Sequence, residues 1–295
     1  MNSSSRLKAI LQTLAICLSA SVFACVIKII YGKATGSLAF IADGIHSLFD
    51  SAATAAGMVS VIFASKPPDA EHPYGHYKFE TVSAIALGVL LFLAAYEVGT
   101  MAYERITINT QAPQFTVWGV VILVVTMAIN LGVAALESRM AKKLSSTFLA
   151  SDAVHNQSDF LITIAVFATI VSTHFQVPFV DAGVSLLITV YLIYLAIRLI
   201  MRNLQPLVDR SVLDPEKVEE IVSSIPGVIH CHQVRSRGEM DHYFLDLNIH
   251  LPGEISLEKA HEITHDVEAK LKEAFPGLVD VVIHTEPHDH PPCSH

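Results

Sequence analysis

Two stretches of the chain carry metal-holding residue types at the same spacing, inside apolar surroundings. They read Asp43-Gly-Ile-His46-Ser-Leu-Phe-Asp50 and Asp152-Ala-Val-His155-Asn-Gln-Ser-Asp159, both D-x-x-H-x-x-x-D. On a helix, each histidine and the aspartate four residues on share a face, with the first aspartate three residues before the histidine. Ionisable side chains are costly within a bilayer, turn toward a bundle interior and mark ion paths. Two helices that each offer an imidazole and a carboxylate build an N2O2 cage suited to a divalent transition metal. The spacing therefore predicts His46, Asp50, His155 and Asp159 as ligands of one intramembrane ion. Asp43 and Asp152 fall nearer one mouth, where supporting the ligands or lining the way in suits them better than ligation. The plain alternative is a pair of hydrogen-bonded patches that only glue helices together, and the repeated spacing argues against it.

Such a site needs membrane-crossing helices, and the composition supplies them. Of 295 residues 52% are hydrophobic and only 16% charged, a balance that points to a multi-pass membrane protein. Six segments reach the about 20 residues a span requires. They lie near Leu7–Tyr31, Ser37–Ser65, Phe79–Arg105, Phe115–Met140, Thr147–Thr173 and Phe179–Asn203, the second and fifth carrying the polar motifs. The first is too long for a signal-peptide core and leads straight into another span. Arg6, Lys8, Lys66, Lys78, Arg139, Lys142, Lys143, Arg198 and Arg202 fall on one side, against Lys33 and Arg105 on the other. That asymmetry places both termini in the cytoplasm. Small residues in Ser51-Ala-Ala-Thr-Ala-Ala-Gly57 would let the fifth span approach the second closely.

From Gln205 onward the chain turns polar. A helical pattern over Asp214–Ser224 opens with Asp-Pro-Glu, strand-like runs follow at Gly227–Arg235 and Tyr243–Leu251, a helix spans Ser256–Phe275, and a strand spans Val279–Thr285. This αββαβ order predicts a small two-layer α+β domain. The division expected is 1–205 for the six-helix bundle, 206–287 for the cytoplasmic domain and 288–295 for a disordered tail bearing His288, His290, Cys293 and His295.

Further donors lie outside the spans. In the loop after the second span, Asp69, His72 and His76 have spacing suited to a second, weaker metal site. His230, His232, His250, His261, His265, His284 and Glu286 fall at strand or helix ends of the polar domain and favour metal binding there. His261-Glu262-Ile-Thr-His265 fits the zinc-protease H-E-x-x-H, yet so small a domain with a short helix offers little room for the third ligand and cleft, so an enzyme is not expected. No phosphate-binding loop is present, so nucleotide is not an expected partner, and the net charge of -9 argues against nucleic acid. Cys17, Cys25, Cys231 and Cys293 show no paired framework and read as reduced thiols.

With H-x-x-x-D at His46/Asp50 and again at His155/Asp159, H-P-Y-G-H-x-K-x-E over His72–Glu80, and A-H-E-I over Ala260–Ile263, nearly the whole chain resembles the bacterial cation diffusion facilitators. The resemblance implies that the quartet is a transport site and that Asp69, His72 and His76 form a second one. It implies a metallochaperone-like, ferredoxin-like cytoplasmic domain that dimerises around regulatory metals at His232, His261, His284 and Glu286, with His250 nearby. Asn248 stands where a histidine ligand is usual, and Glu286 replaces a usual aspartate. A salt-bridge latch between Lys78 and Asp209 is also implied. The function expected is proton-coupled antiport of a divalent transition metal out of the cytoplasm by alternating access. Zn(II) comes first, then Fe(II), Co(II), Cd(II), Ni(II) or Mn(II), with a homodimer in the lipid bilayer of a bacterial cytoplasmic (inner) membrane. The competing class is a membrane-anchored metal sensor or scaffold without transport.

Overall fold

The computed structural model describes residues 3–35, 38–108, 117–175, 178–239 and 242–288. Its chain falls into two compact units, Met1–Leu204 and Gln205–His295.

Among the described residues the first unit holds six long helices, each overlapping one expected span. They are α1 (Ser3–Thr35), α2 (Leu38–Ala64), α3 (Lys78–Ile108), α4 (Val117–Leu144), α5 (Thr147–Phe175) and α6 (Pro178–Leu204). Among the described residues, five of them hold a stretch long and apolar enough to cross a membrane. Large apolar side chains such as Phe23, Ile30, Leu93, Trp118 and Leu187 lie on the outside, the surface that hydrocarbon rather than water solvates well. Helix α1 packs on α2 and α4, α3 on α2, α5 and α6, and α5 on α4 and α6.

Two local devices place the motif helices. A Cβ on Gly57 of α2 would fall 1.8 Å from Cζ of Phe148 in α5, so only a residue without a side chain lets that ring seat on α2. The start of α5 is fixed by Glu80 of α3, whose Oε1 accepts from the Ser146 hydroxyl and, at 3.1 Å, from the Phe148 amide. A carboxylate suits a helix N-terminus, where backbone N–H groups lack partners. Opposite it, Arg6 donates to the Leu144 and Ser145 carbonyls at 2.7 and 2.8 Å, holding the turn in which Ser145 adopts φ 48°.

The second unit opens with a single 3-10 turn, Gln205–Val208, and continues as α7 (Pro215–Ser223), β1 (His230–Glu239), β2 (His242–Leu251), α8 (Leu257–Ala274) and β3 (Leu278–Pro287). The sheet order is β1-β2-β3, antiparallel between β1 and β2 and parallel between β2 and β3. Strand β1 runs past the expected end at Arg235, because a bulge between His232 and Arg235, with Gln233 at φ 52°, restores pairing. Alternation sorts the faces. Leu245, Leu247 and Ile249 of β2 face a core closed by Val218 and Val222 of α7 and by Ile263, Val267 and Leu271 of α8. Their neighbours Asp246, Asn248 and His250 take the other face.

Candidate metal sites

On α2 and α5 the motif residues meet around one carboxylate. Asp50 Oδ1 lies 3.2 Å from His155 Nε2, and Asp50 Oδ2 lies 3.7 Å from His46 Nε2. Donor atoms of His46, Asp50 and Asp159 all lie within 4.8 Å of one another. His155 is buried, and its Nδ1 and Asp159 Oδ1 have no hydrogen-bond partner within the protein. Buried polar atoms are rarely left so, and such orphans are what a cage for an ion leaves behind. Two imidazoles and two carboxylates match the charge and borderline softness of a divalent transition metal. His46 and Asp50 also line a cleft shared with Phe49, Leu90, Leu93, Ala94 and Glu97.

The two leading aspartates part company. Asp43 pairs with Lys28 of α1 at 2.9 Å, and the same ammonium donates to Ser47 Oγ at 3.1 Å. Asp152 is fully buried and accepts from Thr54 Oγ1 of α2 at 3.2 and 3.3 Å. Neither belongs to the donor group around Asp50. The spacing argument passed over Lys28, Glu97 and Glu137 of α4, although each is an ionisable residue in an apolar helix and the same criterion would have flagged it. Glu137 is fully buried and accepts from Asn156 Nδ2 at 2.8 Å.

The loop trio also meets. Asp69 Oδ2 lies 3.3 Å from His76 Nε2, and Asp69 Oδ1 lies 3.3 Å from His72 Nδ1. The imidazole rings are 4.2 Å apart. Asp69 Oδ1 accepts from the His72 and Glu71 amides at 2.7 and 3.0 Å. The hydrogen bond from the His72 amide, above all, holds this carboxyl below its usual range. Lys78 opens α3 directly after this loop, and Asp209 follows the 3-10 turn in the other unit.

In the second unit, His232, His250 and Glu286 offer donors within 4.8 Å of one another on the helix-free face of the sheet. Glu286 Oε2 lies 3.4 Å from His250 and 3.8 Å from His232, and Oε1 lies 3.7 Å from the exposed His284. The side-chain amide of Asn248 donates to Glu286 Oε1 at 2.8 Å and so orients the carboxylate. Nδ1 of both His232 and His250 is buried without a partner. His261 does not join them within this chain, because α8 covers the opposite face of the sheet. It lies instead with His265, Nε2 to Nε2 3.1 Å, and both are exposed. Residues 289–295, with the tail's last histidines and Cys293, lie outside the described residues. Cys17, Cys25 and Cys231 are free and buried.

Residues 14–208 match the cation efflux transmembrane domain, and residues 213–288 match the cation efflux protein cytoplasmic domain. The chain belongs to the cation diffusion facilitator family. The cation-efflux pump FieF of Cronobacter sakazakii is 29% identical over 264 residues, covering 89% of this chain and 87% of its own. The cation-efflux pump FieF of Yersinia pestis is 30% identical over 264 residues, with the same coverages of 89% and 87%. An uncharacterised transporter of Methanocaldococcus jannaschii is 29% identical over 273 residues, covering 88% of this chain and 92% of its own. The bundle and the small α+β unit are thus the two parts of a cation-efflux membrane protein, a family of transporters rather than enzymes.

Proposed function

We propose that the protein exports divalent transition-metal cations from the cytoplasm in exchange for protons, with Zn(II) as the preferred ion. The observation that carries this reading is the convergence of His46, Asp50 and Asp159 within 4.8 Å, with His155 a further 3.2 Å contact of Asp50. Imidazole with carboxylate ranks Zn(II) first and leaves Fe(II), Co(II), Cd(II), Ni(II) and Mn(II) as weaker candidates. Outward movement of a dication against an inside-negative potential costs about 4.6 kcal/mol per 100 mV, at about 2.3 per charge. A passive pore would therefore leak metal inward, and export needs a coupled ion. The ligands supply one. Imidazole and carboxylate must shed protons to bind metal and regain them when it leaves. Alternating access follows if the bundle faces the cytoplasm when loaded with metal and the outside when protonated.

The same reading assigns Asp69, His72 and His76 to a weak site in the loop, and His232, His250, His284 and Glu286 to a regulatory site in the cytoplasmic domain. The match of the tail to the family's cytoplasmic domain supports a homodimer. Lysine and arginine placement supports cytoplasmic termini, and the likeness to bacterial cation-efflux pumps supports a bacterial inner membrane setting. The expected test is metal-by-metal transport by purified protein in proteoliposomes under an imposed pH gradient. Wild type should move Zn(II) fastest and only with the gradient, while Asp50→Ala and Asp159→Ala should lose at least about 100-fold in rate, given the 10–100-fold that even an outer partner of a metal ligand is worth. Transport indifferent to the gradient would refute the proton coupling.

A further inference from the structure

The described bundle holds a second buried acidic centre, separate from the quartet. Glu137 of α4 and Asp152 of α5 are both fully buried. The side chains facing Glu137 are Asp152 and Asn156 of α5 and Cys17 of α1. Asp152 faces Thr54 of α2, Glu137, and the quartet's His155 and Asp50. No lysine or arginine is among these groups; the buried ammonium of α1, Lys28, is engaged by Asp43 and Ser47. Asn156 donates to Glu137 Oε2 at 2.8 Å, whereas Glu137 Oε1 is buried with no hydrogen-bond partner. His155, which Asp50 and Asp159 also engage, is the one imidazole among the facing groups, and two facing carboxylates with so little positive charge beside them are not both ionised in an apolar interior, so such a pair shares a proton. An unpartnered Oε1 is where that proton would reside.

The wiring to the quartet is short. Thr54, which donates to Asp152, lies one helical turn after Asp50 on α2. Asn156, which donates to Glu137, is the residue after His155 on α5. A dication among His46, Asp50, His155 and Asp159 therefore sits within about a turn or two of the carboxylate pair, close enough for its charge to act through a low-dielectric interior.

We infer that Glu137, paired with Asp152, is a proton-binding site coupled to the metal quartet, and that it carries part of the counter-ion. One proton binds the pair when the quartet is empty. It leaves to bulk water when a dication occupies the quartet, and it returns after the metal departs. No bond other than O–H forms or breaks, and the proton taken up equals the proton released. This rests on the antiport reading above, and its test reads the proton itself as well as transport.

The experiment uses full-length protein with Zn(II) as the probe. Infrared difference spectra on adding Zn(II) should show loss of a protonated-carboxyl C=O band, and that band should be missing from Glu137→Gln. A pH indicator in weak buffer should record about one fewer proton released per Zn(II) bound by Glu137→Gln than by wild type, with Zn(II) still bound in the same number by calorimetry. In proteoliposomes the variant's transport should lose much of its dependence on the pH gradient. Asp152→Asn is the second variant, and it should remove the same band if Glu137→Gln folds poorly. An unchanged band and unchanged proton count in either folded variant would overturn the inference. Wild-type transport that ignores the gradient while the Glu137 band persists would instead sink the antiport reading and leave the proton site standing.

Discussion

Asp50 is the residue on which the intramembrane site turns, because its two oxygens face imidazoles from two different helices. That contact depends on a residue with no chemistry of its own. At Gly57 an added Cβ would overlap the Phe148 ring at 1.8, 2.2 and 2.6 Å, and Phe148 is itself almost fully buried. Overpacking of this kind costs about 1–3 kcal/mol. Gly57→Ala should therefore lower the melting temperature of the purified protein and depress transport, and adding Phe148→Leu should recover most of both. If Gly57→Ala melts like wild type, the close approach of α2 and α5 is wrong. Sequence spacing made the four donors legible, since an imidazole and a carboxylate one turn apart repeat in two apolar helices. The small-residue run was legible as a contact surface too. Its partner ring was not, because nothing local to Gly57 says which side chain descends on it. Lys28 and Glu137 escaped for a different reason: each is a lone charge without a repeat, and only the packed structure shows Asp43 beside one and Asn156 beside the other.

Among elements, the one whose placement matters most is α5, because Asp152, His155 and Asp159 all ride on it. Its entry point is set by groups from α1 and α3 that no pattern within α5 announces. Glu80 Oε1 accepts from the Ser146 hydroxyl and the Phe148 amide, and Arg6 donates to the Leu144 and Ser145 carbonyls where α4 ends. Glu80 was visible in the sequence only as the end of the His72–Glu80 loop motif. Glu80→Ala leaves buried donors unpaired, at about 1–3 kcal/mol. Glu80→Gln keeps an accepting oxygen and should cost less than half of that. Thermal denaturation of both variants checks the order, and equal losses would argue that charge rather than acceptance does the holding. The polar domain was the more readable part, since periods of two and 3.6 separate its strands from its helices in plain sight. What local pattern does not give is the third dimension. His232, His250 and Glu286 converge because alternation puts them on the helix-free face, while His261 rides on α8 across the sheet.

At the scale of the whole chain, two units each gather histidines around carboxylates, and they do so in different dielectrics. The bundle site has buried oxygens and nitrogens without partners, and a metal there must displace the protons its ligands hold. The tail cluster sits on a sheet face where Asn248 already satisfies one Glu286 oxygen, so its ligands are pre-oriented and partly solvated. Metal binding to the two should then be separable in the intact protein. A ligand at a hundred times its dissociation constant stabilises the state it binds by about 2.7 kcal/mol. Zn(II) should therefore protect each unit through its own site. Asp50→Asn with Asp159→Asn should remove the protection of the bundle, read as resistance of α2 and α5 amides to hydrogen exchange. His232→Ala with His250→Ala should remove that of β1 and β2 and leave the bundle's intact. Loss of protection in both units from either pair would mean that a single ion orders the whole molecule, and the proposed division of labour between a transport site and a regulatory site would fall with it.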